Sequence, residues 1–362
     1  MELIKMQMTP KERAVAYAKG EEVDRLPTSL SANETTPPRY GYKIKDYYFS
    51  ADIMVDVETR LAEEFHADNM GIGLGLRTVV EALGTELEMP DNAVSYIKKP
   101  ALNSFDEVDR LEIINIEKDG RFPIICEATS RLYEKFGHER GIGSGLAGPF
   151  TTAASLIGFE NFLKGTIKNK EGVHKLLQFS TDCVVEVSRQ MNAKFGMGLM
   201  LSEPMGSKDL ISRRQFDEFF APYVKQAVER MNEFQGGTGI HICGATRDRW
   251  DGVVETGINS FWIDNCESLE EMKKLFGDRI AISGNVPPAT VLNQGTPEDV
   301  DAAVKKCIME AADNPMGYRL CPGCTTPVGT SAENMIAFMN AAAKYGRNAR
   351  KGCMPEGIKD YL

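Results

Sequence analysis

The apolar positions of this chain change period repeatedly, and each change marks an element. Ile53, Met54, Val57, Leu61 and Phe65 recur at helical spacing, which predicts a helix over 51–65. Thr9-Pro10-Lys11-Glu12 reads as an N-cap, a proline at the first helical position and an acid in the first turn. A helix should therefore open there, run to about Lys19 and stop at Gly20. Further helices are expected over 124–136, over 171–195, from a Ser212 cap through Met231, from Thr296-Pro297-Glu298-Asp299, and from Ser331 to about Tyr345. Between them lie short apolar runs of strand length at 26–30, 68–72, 141–146, 197–202, 239–243, 260–264, 280–284 and 318–321. Pro27 allows only the start of a strand in the first of these. Residues 84–120 are irregular, with prolines and charges, and read as small β or loop structure.

Eight strands, most of them separated by a helix, imply a parallel sheet. Eight such units closing on themselves imply an α/β fold of the (β/α)8 TIM-barrel type, with chemistry at the C-terminal ends of the strands. A doubly wound sheet is the alternative, but no strand-to-helix turn carries a dinucleotide fingerprint. Gly71, Gly73 and Gly75 alternate without its final spacing. Length divided by ~150 residues suggests two domains, yet α/β barrels routinely run longer as one. The expectation is a single barrel over 1–362, with an N-terminal helical extension at 1–24, an insertion at 84–120 that caps the barrel, and a polar surface tail at 347–362.

Composition narrows the function. The chain has 362 residues, with 42 Lys plus Arg against 52 Asp plus Glu, a formal charge of −10. An acidic chain lacks the basic footprint of a nucleic-acid binder. Hydrophobic residues at 42% and charged residues at 26% fit an ordinary globular protein. No apolar run approaches the ~18 residues of a membrane span. Met1–Arg13 has charges and no apolar core, so it does not read as a secretory signal. Eight cysteines scattered over a long chain argue for a reducing compartment, here the cytoplasm, rather than a disulfide scaffold. Thiols are then free for metal.

The sharpest local signal is His241-Ile242-Cys243-Gly244. Residues i and i+2 of a strand face the same way, so His241 and Cys243 project together at a strand's C-terminal end. An imidazole beside a soft thiolate suits zinc, and a catalytic zinc takes three protein ligands and one open position. Leu320-Cys321-Pro322-Gly323-Cys324 offers two candidates for the third. Cys321 lies within the strand; Cys324 follows a Pro-Gly turn, reaches above the rim and is favoured. The remaining cysteines, Cys126, Cys183, Cys266, Cys307 and Cys353, have no ligand-like neighbours. Glu203, just after the strand at 197–202, is a candidate fourth ligand or proton-transfer group. Asp264 and Asn285 close later strands and are candidates for orienting substrate. Asn265, beside Asp264, and Gly148, at the turn into a helix, are candidates for cofactor contact.

With these residues in place, the chain resembles the uroporphyrinogen decarboxylase superfamily over almost its whole length. The matching pieces are Gly148-Pro149-Phe150-Thr151, Ile211-Ser212 with Phe219-x-x-Pro222-Tyr223, His241-Ile242-Cys243-Gly244, Ser283-Gly284-Asn285-Val286-x-Pro288, Gly295-Thr296-Pro297-Glu298, and Pro322-Gly323-Cys324 with Glu333-Asn334. The resemblance implies a TIM barrel. The decarboxylases themselves carry an arginine-rich segment after the first strand that binds a porphyrinogen bearing eight carboxylates. Here that region reads Leu30-Ser31-Ala32-Asn33-Glu34-Thr35-Thr36, with an acid and no arginine. The histidine and cysteines look instead like the zinc motif of the corrinoid-dependent methyltransferase branch. That likeness implies Zn2+ on His241, Cys243 and Cys324, and cobalamin carried by a partner corrinoid protein. Two chemistries follow from it. In the first and leading one, zinc acts on the oxygen of a methoxylated aromatic while cobalt takes the methyl group. In the second, zinc activates a thiol of the coenzyme M type, which takes the methyl from cobalt. Tyr48-Phe49-Ser50-Ala51-Asp52 and Gly71-Ile72-Gly73-Leu74-Gly75 look more like the bacterial O-demethylases. The direction of transfer stays open, as does the oligomeric state, a homodimer being admitted.

Overall fold

The computed structural model describes residues 2–361. Six parallel strands form one sheet in sequence order: β4 (Ser144–Ala147), β5 (Leu199–Ser202), β6 (Gly239–Ile242), β7 (Ser260–Ile263), β8 (Ala281–Val286) and β9 (Tyr318–Pro322). Two extended segments complete the ring. Met70 and Gly75 bridge in parallel to Ile142 and Leu146 beside β4, and Thr28 bridges to Leu320 of β9. The two segments meet where the Asp68 amide donates to the Thr28 carbonyl at 3.0 Å. The barrel is therefore closed, and it carries a helical connection after every strand or segment. The first two members make isolated bridges rather than ladders. Pro27 has no N–H to give, although its carbonyl accepts from Leu320 N at 3.0 Å.

Capping places the helices where the sequence puts them. Thr9 and Glu12 form a reciprocal box at the start of Pro10–Ala18, and Thr296 and Asp299 do the same for Pro297–Ala311. Ser50, Ser268 and Ser331 each accept the third helical amide of Ala51–Phe65, Leu269–Phe276 and Ala332–Tyr345. The helix expected from Ser212 to Met231 departs from the expectation. It opens at Arg213–Gln215, widens to a π-turn at Phe216–Phe220, and continues as Ala221–Gln235. Pro222 stands directly after the widened turn, and its missing N–H leaves the ladder without one donor.

Four small strands lie outside this sheet. β1 (Val23–Arg25) pairs antiparallel with β10 (Arg347–Ala349), and β2 (Glu86–Glu88) pairs with β3 (Tyr96–Lys99) as a hairpin. The hairpin lies within residues 84–120, a stretch that also buries Leu102, Val108, Ile114 and Ile116. The tail does more than lie over the surface, as its polarity suggested. Its backbone adds a strand to the N-terminal extension, and Ala349 and Ile358 are fully buried. Two apolar side chains among polar ones suffice to anchor a segment whose amides are already paired. Among the described residues, no helix is long and apolar enough to cross a membrane.

An ion cluster ties the extension to the barrel. Arg25 donates to both oxygens of Asp68, at 2.8 and 2.9 Å, and Arg13 donates to Asp68 and, at 2.7 and 3.0 Å, to Asp24. Asp68 also accepts the Thr28 amide at 2.7 Å. Both guanidiniums are 1% exposed.

Candidate metal centre

His241 is the third residue of β6, and Cys243 follows that strand directly. Alternation sends the flanking Ile240 and Ile242 out against the helices, where both are fully buried. Cys324 arrives from the end of β9. Gly323 makes that approach geometrically feasible, because a Cβ there would stand 2.5 Å from the Asn265 backbone nitrogen. The result is a triad: His241 Nε2 is 2.9 Å from Cys243 Sγ, Cys243 Sγ is 3.2 Å from Cys324 Sγ, and all three donor atoms lie within 4.8 Å of one another. His241 is buried and the two cysteines are half-buried. Among the described residues, this is the one group of three or more His, Cys, Asp or Glu donors close enough to share an ion.

Electrostatics within the triad favours a thiolate. The Cys324 thiol is drawn well below its ordinary value by the hydrogen bond from Cys243 and by His241, while Cys243 is pushed up by that same hydrogen bond and by burial. Of the two sulfurs, Cys324 is the one that this arrangement favours as a thiolate. The neighbouring Cys321 stands apart. It is 3% exposed within β9, and burial holds its thiol in the protonated form. All eight cysteines are free. Cys126, Cys183 and Cys307 are buried with thiols pushed up to about 11, 11 and 12 by desolvation, and Cys266 and Cys353 are exposed.

The donor set fits zinc: one borderline nitrogen and two soft sulfurs, three protein donors where a catalytic zinc takes three. A tetrahedral zinc with its usual bond lengths has donor-to-donor edges of about 3.5–3.8 Å. The His241–Cys243 and Cys243–Cys324 separations fall short of that by roughly half an ångström.

The other candidate residues hold the loops around the triad. Asp264 accepts the Gly244 amide and the Cys266 amide, each at 2.9 Å, and so fixes the turn after Cys243. Asn285 points away from the triad. Its amide donates to the Asp264 and Glu267 carbonyls at 3.0 and 2.8 Å, and its oxygen accepts from Cys307 on an outer helix. Asn265 is exposed. Glu203 is completely buried and receives the Phe150 and Thr151 amides at 2.9 and 2.8 Å, at the N-terminus of Pro149–Ile157. Its own amide donates to the His241 carbonyl at 2.7 Å. Burial pushes its carboxyl up to about 7, against the pull of the two amides.

Gly148 exists for that carboxylate, since a Cβ at 148 would lie 2.3 Å from Glu203 Oε1. Gly148→Ala should therefore expel Glu203 from the helix terminus and cost about 2–4 kcal/mol, through overpacking and a lost charged hydrogen bond. Urea unfolding checks this, and a loss under ~0.5 kcal/mol, the range of a neutral surface change, contradicts it.

Sequence reasoning missed Trp262. It is the third residue of β7 and pairs in register with His241, the third of β6. That shared position in two adjacent strand patterns was the available signal. Sequence reasoning also missed a polar cluster near the first segment. There Tyr48 donates to Glu34 at 2.8 Å, and Asn33 donates to the buried Glu58 and to the Gly71 carbonyl.

Comparison with known proteins agrees with this architecture. The family model for uroporphyrinogen decarboxylase (URO-D) matches residues 9–345. A methylcobamide:CoM methyltransferase of Methanosarcina acetivorans is 27% identical, covering 94% of this chain and 99% of that protein. A methylated-thiol–coenzyme M methyltransferase of Methanosarcina mazei is 25% identical, covering 92% and 89%. A solved methyltransferase from Methanosarcina mazei superposes with a TM-score of 0.83 at 23% identity, covering 93% and 98%, which places the chain in the same TIM-barrel fold. The chain belongs to the uroporphyrinogen decarboxylase family.

Proposed function

We propose that this chain is a zinc-dependent methyltransferase that moves a methyl group between a corrinoid, held by a partner protein, and a small-molecule thiol. The observation that carries the reading is the His241, Cys243 and Cys324 donor set, drawn within 4.8 Å at the C-terminal face of the barrel. Bound there, zinc supplies Lewis acidity that lowers the pKa of an incoming thiol. The chain's own residues prepare for it. Cys324 gives up its proton readily, Cys243 hydrogen-bonds to it, and His241 offers Nε2. Asp264 fixes the turn that presents Cys243, and Asn285 fixes Asp264. Glu203 and Gly148 keep the adjacent strand end and helix terminus packed. In this reading they position the site and do not touch substrate.

The thiol is supported by the relatives, which are methyltransferases named for coenzyme M and methylated thiols. A methoxylated aromatic as methyl donor uses the same donor set but has no such support. Decarboxylation of a polycarboxylate is opposed by the segment after the first strand, where Glu34 stands and arginine is absent.

The test uses the zinc-loaded chain with free cobalamins in place of the partner. Methylcobalamin with a panel of thiols should yield S-methyl product. Cob(I)alamin with methoxylated aromatics, methanol and methylamines tests the reverse direction. Methylation of cobalt by an aromatic ether alone selects the other chemistry. No transfer in either direction, or carbon dioxide release from uroporphyrinogen, overturns the reading.

A further inference from the structure

Trp262 links three strands of the barrel at the level of the triad. Its backbone carbonyl lies 2.9 Å from His241 Nδ1. A carbonyl only accepts, so Nδ1 carries a proton and Nε2 is the ring atom turned toward Cys243. The indole lies over the imidazole, with centroids 4.1 Å apart and planes 32° from parallel. The indole Nε1–H then donates to the Pro322 carbonyl at 2.8 Å, two residues before Cys324. Trp262 sits on β7 and Pro322 on β9, so the indole reaches past β8 to make this bond. Its register neighbour on β8 is Ser283, a small residue beside the bulky indole.

From this geometry we infer that Trp262 is a positioning residue. It sets the tautomer and tilt of His241 and, through one indole hydrogen bond, the separation of the His241 and Cys324 strand ends, so that the three donors are arranged before metal arrives. The inference rests on the zinc reading above. The ligands themselves come from β6 and β9, which are not hydrogen-bonded to each other, and no backbone ladder fixes their distance. Outer partners of metal-bound histidines typically contribute 10–100-fold to metal affinity.

The experiment replaces Trp262 by 3-benzothienylalanine, which keeps the ring shape and stacking but has no N–H. Zinc affinity is measured by competition with a chromogenic chelator. The expected result is about tenfold weaker binding, with thermal unfolding of the metal-free chain unchanged. Trp262→Phe, which also removes the N–H, should weaken zinc binding at least as much, and it decides the matter if the analogue cannot be incorporated. Unaltered zinc affinity in a folded variant overturns the assignment. A wild-type chain that takes up no zinc overturns the zinc reading itself and is told apart by that control.

Discussion

His241→Ala or Cys243→Ser is expected to strip the chain of zinc and to lower methyl transfer at least a thousandfold. Each removes one of only three protein donors, and an outer partner alone is worth roughly 10–100-fold in affinity. The loss should exceed that range because the remaining pair lacks a closed face for the ion. Neither change should unfold the barrel, since His241 and Cys243 sit at a strand end above the packed Ile240 and Ile242. Cys353→Ser serves as a control with no effect, because that thiol is exposed and distant from the donors. Cys321→Ser should cost stability, through a hydroxyl placed in an apolar position, and leave zinc content near one per chain. Metal analysis of the purified variants, with circular dichroism to confirm folding, reads all four. Full zinc content in Cys243→Ser contradicts the ligand assignment.

Asp68→Ala should be the most damaging change to the scaffold, at about 3–5 kcal/mol, the cost of leaving buried charges unpaired. One carboxylate holds two guanidiniums, each 1% exposed, and also the Thr28 amide of the first barrel segment. Removing it leaves Arg25 with only the Leu26 and His66 carbonyls. Arg13 retains Asp24, so the damage falls mainly where the first two segments join. Those segments make only isolated bridges and depend on this cluster for their register. The midpoint of urea unfolding should drop accordingly, and a loss below ~1 kcal/mol, the value of a surface ion pair, shows that the cluster is solvated.

The barrel was readable because its strands are short apolar runs bounded by Gly and Pro, and because helix caps use Thr, Ser and Asp next to Pro or Glu. The meeting of His241, Cys243 and Cys324 was readable for a narrower reason. His241 and Cys243 are two residues apart on one strand, so alternation alone puts them on one face. Choosing Cys324 over Cys321 required only the position of the Pro-Gly turn. What the sequence concealed depends on contacts between distant residues. Arg13 and Arg25 meet Asp68 across 55 and 43 residues, and no local pattern marks such a pair. Glu203 read as a candidate ligand or proton carrier. Its place at a helix N-terminus follows from the gap at Gly148, on a different strand end. Asn285 read as a substrate group because it closes a strand, yet its side chain turns outward to two carbonyls and a buried thiol. The tail read as surface because its two buried anchors are outnumbered by polar residues.

The most direct test of the account is X-ray absorption at the zinc edge of the purified chain, before and after addition of a thiol acceptor. The expected resting spectrum is one zinc per chain with two sulfur and two nitrogen or oxygen neighbours. On adding the thiol, a third sulfur should appear at about 2.3 Å. A chain without zinc, or a zinc whose sulfur count stays at two under saturating thiol, contradicts the claim that this triad activates a thiol for methyl transfer.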